Sequence, residues 1–133
     1  EQQNLDKVVI IGHSKGGVIG KYILADGNSA NKIKAVIAIA TPFAGSSLGR
    51  LIPNSVFKEV TAEGELIQKL QMNKSVNEKI ISIYPLYDNH MWPQGGSYVQ
   101  GGENIQIDCK GHHKILFTKE LEKEIMGRIN KVV

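Results

Sequence analysis

Cysteine and long apolar runs are nearly absent from this sequence of 133 residues. Cys109 is the only cysteine, so the chain forms no internal disulfide and no cysteine-based metal cluster, and we expect Cys109 to be a small buried residue. No apolar run reaches the ~18 residues that a membrane-spanning helix needs, and residues 1–7 do not resemble a signal peptide. The sequence therefore predicts no transmembrane segment, and it leaves the location in the cell unknown.

Charge of one sign is also scarce, because 16 Lys and Arg residues are mixed with 13 Asp and Glu residues. The formal net charge is +3, and no basic block alternates with aromatic side chains, so nothing in the sequence favours nucleic-acid binding. A hydrophobic content of 41% and a charged content of 22% are typical of globular proteins. We predict a single domain over residues 1–133 that does not bind nucleic acid.

Short apolar runs rich in β-branched residues alternate with segments of helical periodicity. Four strands are predicted, at residues 7–11, 33–40, 79–84 and 104–108, with helices at residues 15–26, 63–73 and from Thr118 onward, and a long loop at 85–103. The apolar residues of the first helix recur at helical spacing: Val18, Ile19, Tyr22 and Ile23. Gly27 is predicted to end that helix. Because the strands are apolar without polar alternation, we predict an α/β fold in which helices cover both faces of a parallel sheet.

A serine flanked by glycines lies between the first predicted strand and the first predicted helix. Gly12-His13-Ser14-Lys15-Gly16 fits the G-x-S-x-G pattern of a nucleophile elbow, a strained turn that lifts the serine hydroxyl above the carboxyl edge of the sheet. Ser14 is the predicted nucleophile, and the backbone N–H of Lys15 is the predicted donor to an oxyanion. We expect Gly12 and Gly16 to be required because a side chain at either position would collide with neighbouring backbone. His13 is expected to pack rather than to catalyse.

A serine hydroxyl becomes a good nucleophile only with a histidine base and a carboxylate that orients the histidine. In this type of fold the acid and then the histidine follow the serine along the chain, each after a different strand. Asp88 follows the third predicted strand and is preferred as the acid over Asp108, which ends the histidine's own strand. His112 and His113 follow the fourth strand, and their spacing alone does not choose between them. His90 is expected at the surface or in support of the site.

Four separated segments carry a resemblance to a known family. They are Gly-His-Ser-Lys-Gly-Gly at 12–17, Thr-Pro-Phe-Ala-Gly-Ser at 41–46, Tyr-Pro-Leu-Tyr-Asp-Asn at 84–89 and Gly-His-His-Lys-Ile-Leu at 111–116. Together they resemble the bacterial triacylglycerol lipases and their relatives similar to the GPI inositol-deacylases, within the α/β-hydrolase superfamily. In that family the histidine after the glycine of the last segment is catalytic, so the resemblance favours His112 over His113.

The resemblance runs from Val8 to the last helix, but the family's early strands have no counterpart in the sequence. The loop that supplies the family's second oxyanion N–H is also missing. We therefore expect residues 1–133 to be the C-terminal portion of the fold, as a fragment or a natural truncation, with half of an oxyanion hole and low activity. The first strand is expected to expose a sheet edge through which the chain self-associates.

The expected function is that of a serine hydrolase that cleaves carboxylic esters of lipids or other apolar acyl groups. Its partner would be a small-molecule or lipid ester, and it would need no metal and no organic cofactor. Apolar residues between Leu48 and Phe57 would line an acyl pocket or lid, or form an ordinary helix on the sheet. Two alternatives stay open: an acyltransferase that uses the same triad, and a non-catalytic half-hydrolase that serves as a binding module.

Overall fold

The computed structural model describes residues 5–28, 30–46 and 65–132. The strands are β1 (Val8–His13), β2 (Ile33–Ile39), β3 (Ile80–Tyr87) and β4 (Glu103–Lys110), and the helices are α1 (Lys15–Asp26), α2 (Glu65–Met72) and α3 (Lys119–Val132). Short 3-10 helices cover Asn77–Lys79 and Lys114–Phe117. The order of strands and helices in the described residues is the predicted one. The acyl pocket or lid predicted between Leu48 and Phe57 lies outside them.

The four described strands form one sheet in the order β1-β2-β3-β4, and each neighbouring pair is parallel. The α/β fold class predicted from the sequence is confirmed. Because all four strands run the same way, the residues that follow them meet at one edge of the sheet. β1 lies at one side of this sheet, and self-association through that side stays a prediction.

Strand β2 shows why the sheet needs cover on both faces. Alternate residues of a strand point to opposite faces, and in β2 both sets are buried. Ile37 and Ile39 belong to a core cluster that includes Leu121 of α3, whereas Val36 and Ala38 belong to a second cluster that includes Leu24 of α1. The predicted placement of helices on both faces is therefore confirmed.

Helix α1 begins at Lys15 and ends before Gly27, as predicted, but it buries a different face from its apolar residues. Ile19, Tyr22 and Ile23 are exposed, and of the four predicted apolar residues only Val18 is buried. The buried face instead combines Gly17 and Gly20 with the larger Leu24. A Cβ on Gly20 would lie 2.9 Å from Val36 Cγ1, so the helix backbone packs closer to the sheet than larger side chains allow.

Strand β3 extends three residues past its predicted end, through Pro85 to Tyr87. Proline has no N–H for the ladder, and here the pairing with β4 shifts register between Pro85 and Tyr87. β4 also runs on to Lys110 and includes Cys109, which is partly buried against the core. The loop between β3 and β4 therefore shortens to residues 88–102.

Helix α3 begins after Thr118, as the sequence predicts. The Leu121 N–H donates to Thr118 Oγ1 at 3.3 Å, and Glu120 lies in the first turn, where the helix dipole favours an acidic residue. Its apolar stripe packs on the sheet through Leu121, Ile125 and Ile129. None of the helices that the structure describes combines the length and the apolar character needed to cross a bilayer.

Candidate active site

Ser14 occupies the sharp turn between β1 and α1. Its backbone angles are φ 54° and ψ −123°, a conformation that costs a residue with a side chain about 1–3 kcal/mol. Two backbone hydrogen bonds hold the turn: the Ser14 N–H donates to Ile39 O at 2.8 Å, and the Gly17 N–H donates to Ser14 O at 3.1 Å. Strand β2 and the first turn of α1 thus stabilise the strained backbone of Ser14, as expected for a nucleophile elbow.

The glycines around Ser14 are not equivalent. A Cβ on Gly12 would lie 2.4 Å from the carbonyl carbon of Gly16, so the predicted crowding at Gly12 is confirmed. The same prediction for Gly16 is wrong, because a Cβ there meets no described atom within 4 Å. The second crowded position is Gly17, where a Cβ would lie 2.0 Å from Oγ1 of the buried Thr41. Thr41 lies in the segment after β2, so this segment packs directly against the elbow at Gly17.

We expect Gly12→Ala and Gly17→Ala each to lower the free energy of unfolding by about 1–3 kcal/mol or more, because neither site has room for a methyl group. Gly16→Ala is the matched control and should be neutral or stabilising by up to about 1 kcal/mol, since alanine favours the helix. Urea unfolding of the three variants tests this. Equal destabilisation by all three would contradict the assignment of crowding.

The side chains of Asp88 and His112 form a buried pair at the carboxyl edge of the sheet. His112 Nδ1 lies 3.0 Å from Asp88 Oδ1 and 2.9 Å from Oδ2, and each residue is only 4% exposed. Asp88 directly follows β3, and His112 comes two residues after β4. The structure thus pairs His112 with the carboxylate, while His113 is exposed. Asp108, the alternative acid, is exposed on β4.

Hydrogen bonds to the backbone and to the carboxylate of Asp88 organise the loop after β3. The Asp88 N–H donates to Gln94 Oε1 at 2.9 Å, and Gln94 Nε2 donates to the carbonyl oxygens of Asp88 and Met91 at 2.7 and 2.6 Å. The His90 N–H donates to Asp88 Oδ1 at 2.8 Å. Gln94 thus holds the backbone of the loop, and no sequence pattern pointed to it.

Three contacts position the backbone of His112. Its N–H donates to Asn89 Oδ1 at 2.9 Å, and its carbonyl oxygen accepts from His13 Nε2 at 3.0 Å. Gly111, at φ 125°, adopts a conformation suited to glycine and donates to Tyr87 O at 2.8 Å. His13, predicted only to pack, therefore supports the candidate base directly. Asn89 was part of the acid-bearing segment but had no predicted role.

All four histidines of the chain meet at this site. The His112 ring stacks on His90 with centroids 4.5 Å apart and tilts against His13 at 4.7 Å. His113 meets the edges of His112 and His90, both with centroids 5.0 Å apart. His90, expected at the surface or in support of the site, is exposed and also covers one face of the candidate base.

Burial and hydrogen bonding shift the pKa values around this pair. Burial raises the pKa of the Asp88 carboxyl, but hydrogen bonds from the His112 ring and the His90 N–H outweigh it and hold the pKa below its ordinary value. Since the folded pKa is depressed, the contribution of Asp88 to stability is present at neutral pH and is lost as the pH falls through that pKa. Burial also lowers the pKa of His13 and of His90, which favours the neutral form of both rings.

Ser14 and the Asp88–His112 pair lie at the same sheet edge, because they follow three parallel strands. His13, next to the serine, contacts His112. Within the part of the chain that the structure describes, Ser14 Oγ makes no hydrogen bond to His112. Such bonds are often long before substrate binds. Lys15 is the first residue of α1, which puts its backbone N–H at the helix N-terminus beside Ser14.

Comparison with known families gives one match that covers most of the chain. A family model described as a PGAP1-like alpha/beta domain matches residues 1–126. Among curated proteins, none matches this chain in sequence.

Several solved structures share the fold. One comes from work on carboxylesterases of the thaumarchaeon Nitrososphaera gargenis, with a TM-score of 0.61 and 18% identity, covering 97% of this chain and 66% of that chain. A monoacylglycerol lipase of Paleococcus ferrophilus has a TM-score of 0.57 and 12% identity, covering 96% and 68%. An acylaminoacyl peptidase of Pyrococcus horikoshii has a TM-score of 0.62 and 16% identity, covering 98% and 24%. The chain thus has an α/β-hydrolase fold and spans about two thirds of the first two structures.

Proposed function

The chain belongs to the PGAP1-like alpha/beta domain family, and we propose that it acts as a serine hydrolase on carboxylic esters of lipids or other apolar acyl groups. The observation that carries the proposal is the buried Asp88–His112 pair, with both carboxylate oxygens within 3.0 Å of Nδ1. This pair lies at the edge where Ser14 sits in a strained turn. A merely structural turn has no need of a strained serine beside a buried acid–histidine pair.

The tautomer of His112 follows from its partner. The ionised Asp88 carboxylate only accepts hydrogen bonds, so Nδ1 carries the proton and Nε2 is left as the base. In the proposed reaction Nε2 takes the proton of the Ser14 hydroxyl while Oγ attacks the carbonyl carbon of the ester. The resulting oxyanion accepts a hydrogen bond from the Lys15 N–H at the start of α1.

The two halves of the reaction use the same groups. The tetrahedral adduct collapses as the His112 imidazolium returns its proton to the leaving alkoxide, and the acyl group stays on Ser14 Oγ. Water then attacks the acyl carbon and gives a proton to Nε2. The second tetrahedral adduct collapses, the acid leaves, and the proton passes from Nε2 to Ser14 Oγ. Asp88 stays ionised throughout and stabilises the imidazolium. The cycle needs no metal and no organic cofactor.

The proposed preference for apolar acyl esters rests on the similarity of this fold to structures of lipases and carboxylesterases. The monoacylglycerol lipase and carboxylesterase structures share the fold, and the acylaminoacyl peptidase shares it too. The fold alone therefore does not choose between ester and amide. Substrate profiling with p-nitrophenyl esters of increasing chain length, next to a matched anilide, tests this part of the proposal.

The catalytic proposal is tested by labelling with a fluorophosphonate, which reacts only with an activated serine. We expect one adduct, located at Ser14 by peptide mass spectrometry, and its loss in Ser14→Ala. Ser75→Ala is the matched control, because Ser75 is exposed and its side chain, among the described residues, bonds only to Asn73. An adduct on Ser46, or no adduct on the folded protein, would overturn the proposal and favour a non-catalytic module.

A further inference from the structure

Three of the four clustered histidines bring their ring nitrogens close together. His90, His112 and His113 each offer one ligand atom, and these atoms all lie within 4.8 Å of one another. His112 is buried, whereas His90 and His113 are exposed. The three come from two loops, one after β3 and one after β4.

The distances are close to those of a zinc site. A tetrahedral Zn²⁺ ion with Zn–N distances of about 2.0–2.1 Å holds its ligand nitrogens roughly 3.4 Å apart. Closing the set therefore takes ring movements on the order of 1 Å and a rotation of the His90 ring out of its stack on His112. Among the described residues, no hydrogen bond holds the ring of His90 or His113. The two exposed rings are therefore able to turn toward an ion without breaking a described hydrogen bond, although His90 leaves its stack on His112.

The buried histidine is already oriented as a metal ligand. His112 Nδ1 is held by the Asp88 carboxylate at 2.9 Å, which leaves Nε2 as the nitrogen available to a metal ion. A carboxylate behind the ligating histidine is the usual arrangement in protein zinc sites, where it fixes the ring and strengthens the ligand. Imidazole nitrogen suits Zn²⁺ better than the hard cations Mg²⁺ and Ca²⁺, which prefer oxygen.

We propose that His90, His112 and His113 form a Zn²⁺-binding site, with water as the fourth ligand, and that bound zinc switches the hydrolase off. The ion occupies Nε2 of His112, the nitrogen that would take the proton of Ser14, so the base is lost while the metal is bound. The metal site rests on the geometry of the three rings. The inhibition rests in addition on the proposed function, and the two are tested by separate measurements.

The metal site is tested by calorimetric titration of the whole chain with ZnCl₂ in a buffer that does not bind zinc. We expect one ion per chain. His90→Gln and His113→Gln should each weaken the affinity at least about tenfold, because each removes a ligand from a three-histidine set. Asp108→Asn is the matched control: Asp108 is exposed on β4 and is not one of the three ligands, so the zinc affinity of this variant should be unchanged. Binding of Co²⁺ should give the intense visible absorption of a four-coordinate ion.

The outcomes separate the two claims. Absence of binding at one ion per chain, or full affinity in both His90→Gln and His113→Gln, would overturn the metal site. The inhibition is measured as fluorophosphonate labelling of Ser14, which zinc should suppress and a chelator should restore. Undiminished labelling at saturating zinc would refute the inhibition and leave the metal site standing. If the zinc-free protein is not labelled at all, the proposed function fails and the calorimetry still decides the metal site.

Discussion

Replacing His112 with alanine is expected to abolish ester hydrolysis, with a loss of about 10⁴-fold or more in kcat, as is typical when a serine hydrolase loses its base. The reason is positional. His112 is the histidine whose Nδ1 contacts the buried Asp88 carboxylate, and its backbone is held by Asn89 and His13. The rate of p-nitrophenyl ester hydrolysis, measured with a chelator present to exclude zinc, tests the expectation.

His113→Ala is the sharpest control for this prediction, because it changes the neighbouring histidine and leaves the pair with Asp88 intact. His113 is exposed and contacts His112 only through ring edges. Activity should therefore largely survive, as it should in His90→Ala, which removes a stacking partner but no hydrogen bond of the pair. An inactive His113→Ala together with an active His112→Ala would show that His113, and not His112, is the base.

Asp88→Asn is expected to lower kcat by about 10⁴-fold while leaving the site's shape nearly unchanged. An amide at this position donates as well as accepts, so it no longer holds the proton on Nδ1 and no longer stabilises the imidazolium that forms during the reaction. Binding of substrate should change far less than turnover, so the loss should appear in kcat rather than in KM.

Asp108→Asn separates this effect from a general loss of negative charge. Asp108 lies exposed on β4 and was the alternative acid in the sequence. The substitution removes the same charge from the same region and should leave kcat nearly unchanged. A large loss in Asp108→Asn together with an active Asp88→Asn would show that the acid was assigned to the wrong strand.

The site positions could be predicted because they depend on one topological rule. Ser14, Asp88 and His112 each follow a strand in the sequence, and parallel strands end at one edge of a sheet. Once the apolar runs are recognised as parallel strands, three residues that are 24 to 98 positions apart in the chain are expected to lie at that edge. The backbone alone carries this inference, so no knowledge of side-chain packing was needed.

The close contacts could not be predicted, since they depend on how elements approach one another. Gly16 belongs to the elbow pattern, but a Cβ there would meet no atom of the described residues within 4 Å, whereas a Cβ on Gly17, outside the pattern, would meet Thr41. Helical periodicity predicted α1 but not its buried face. The glycines at 17 and 20 let the helix backbone pack closely against its neighbours, and Ile19 and Ile23 are left exposed. Small residues on a packing face give no apolar periodicity that a sequence could display.

The sequence by itself determined the α/β class, the order of strands and helices, the turn that carries Ser14 and the sheet edge to which Asp88 and His112 belong. These follow from local periodicity and from the direction of parallel strands. Only the tertiary structure decided that His112, and not His113, contacts Asp88, that Asn89 and Gln94 hold the two loops, and that all four histidines share one cluster. Such contacts join loops distant in the chain, and a contact between distant side chains depends on angstrom-scale distances that no local pattern encodes.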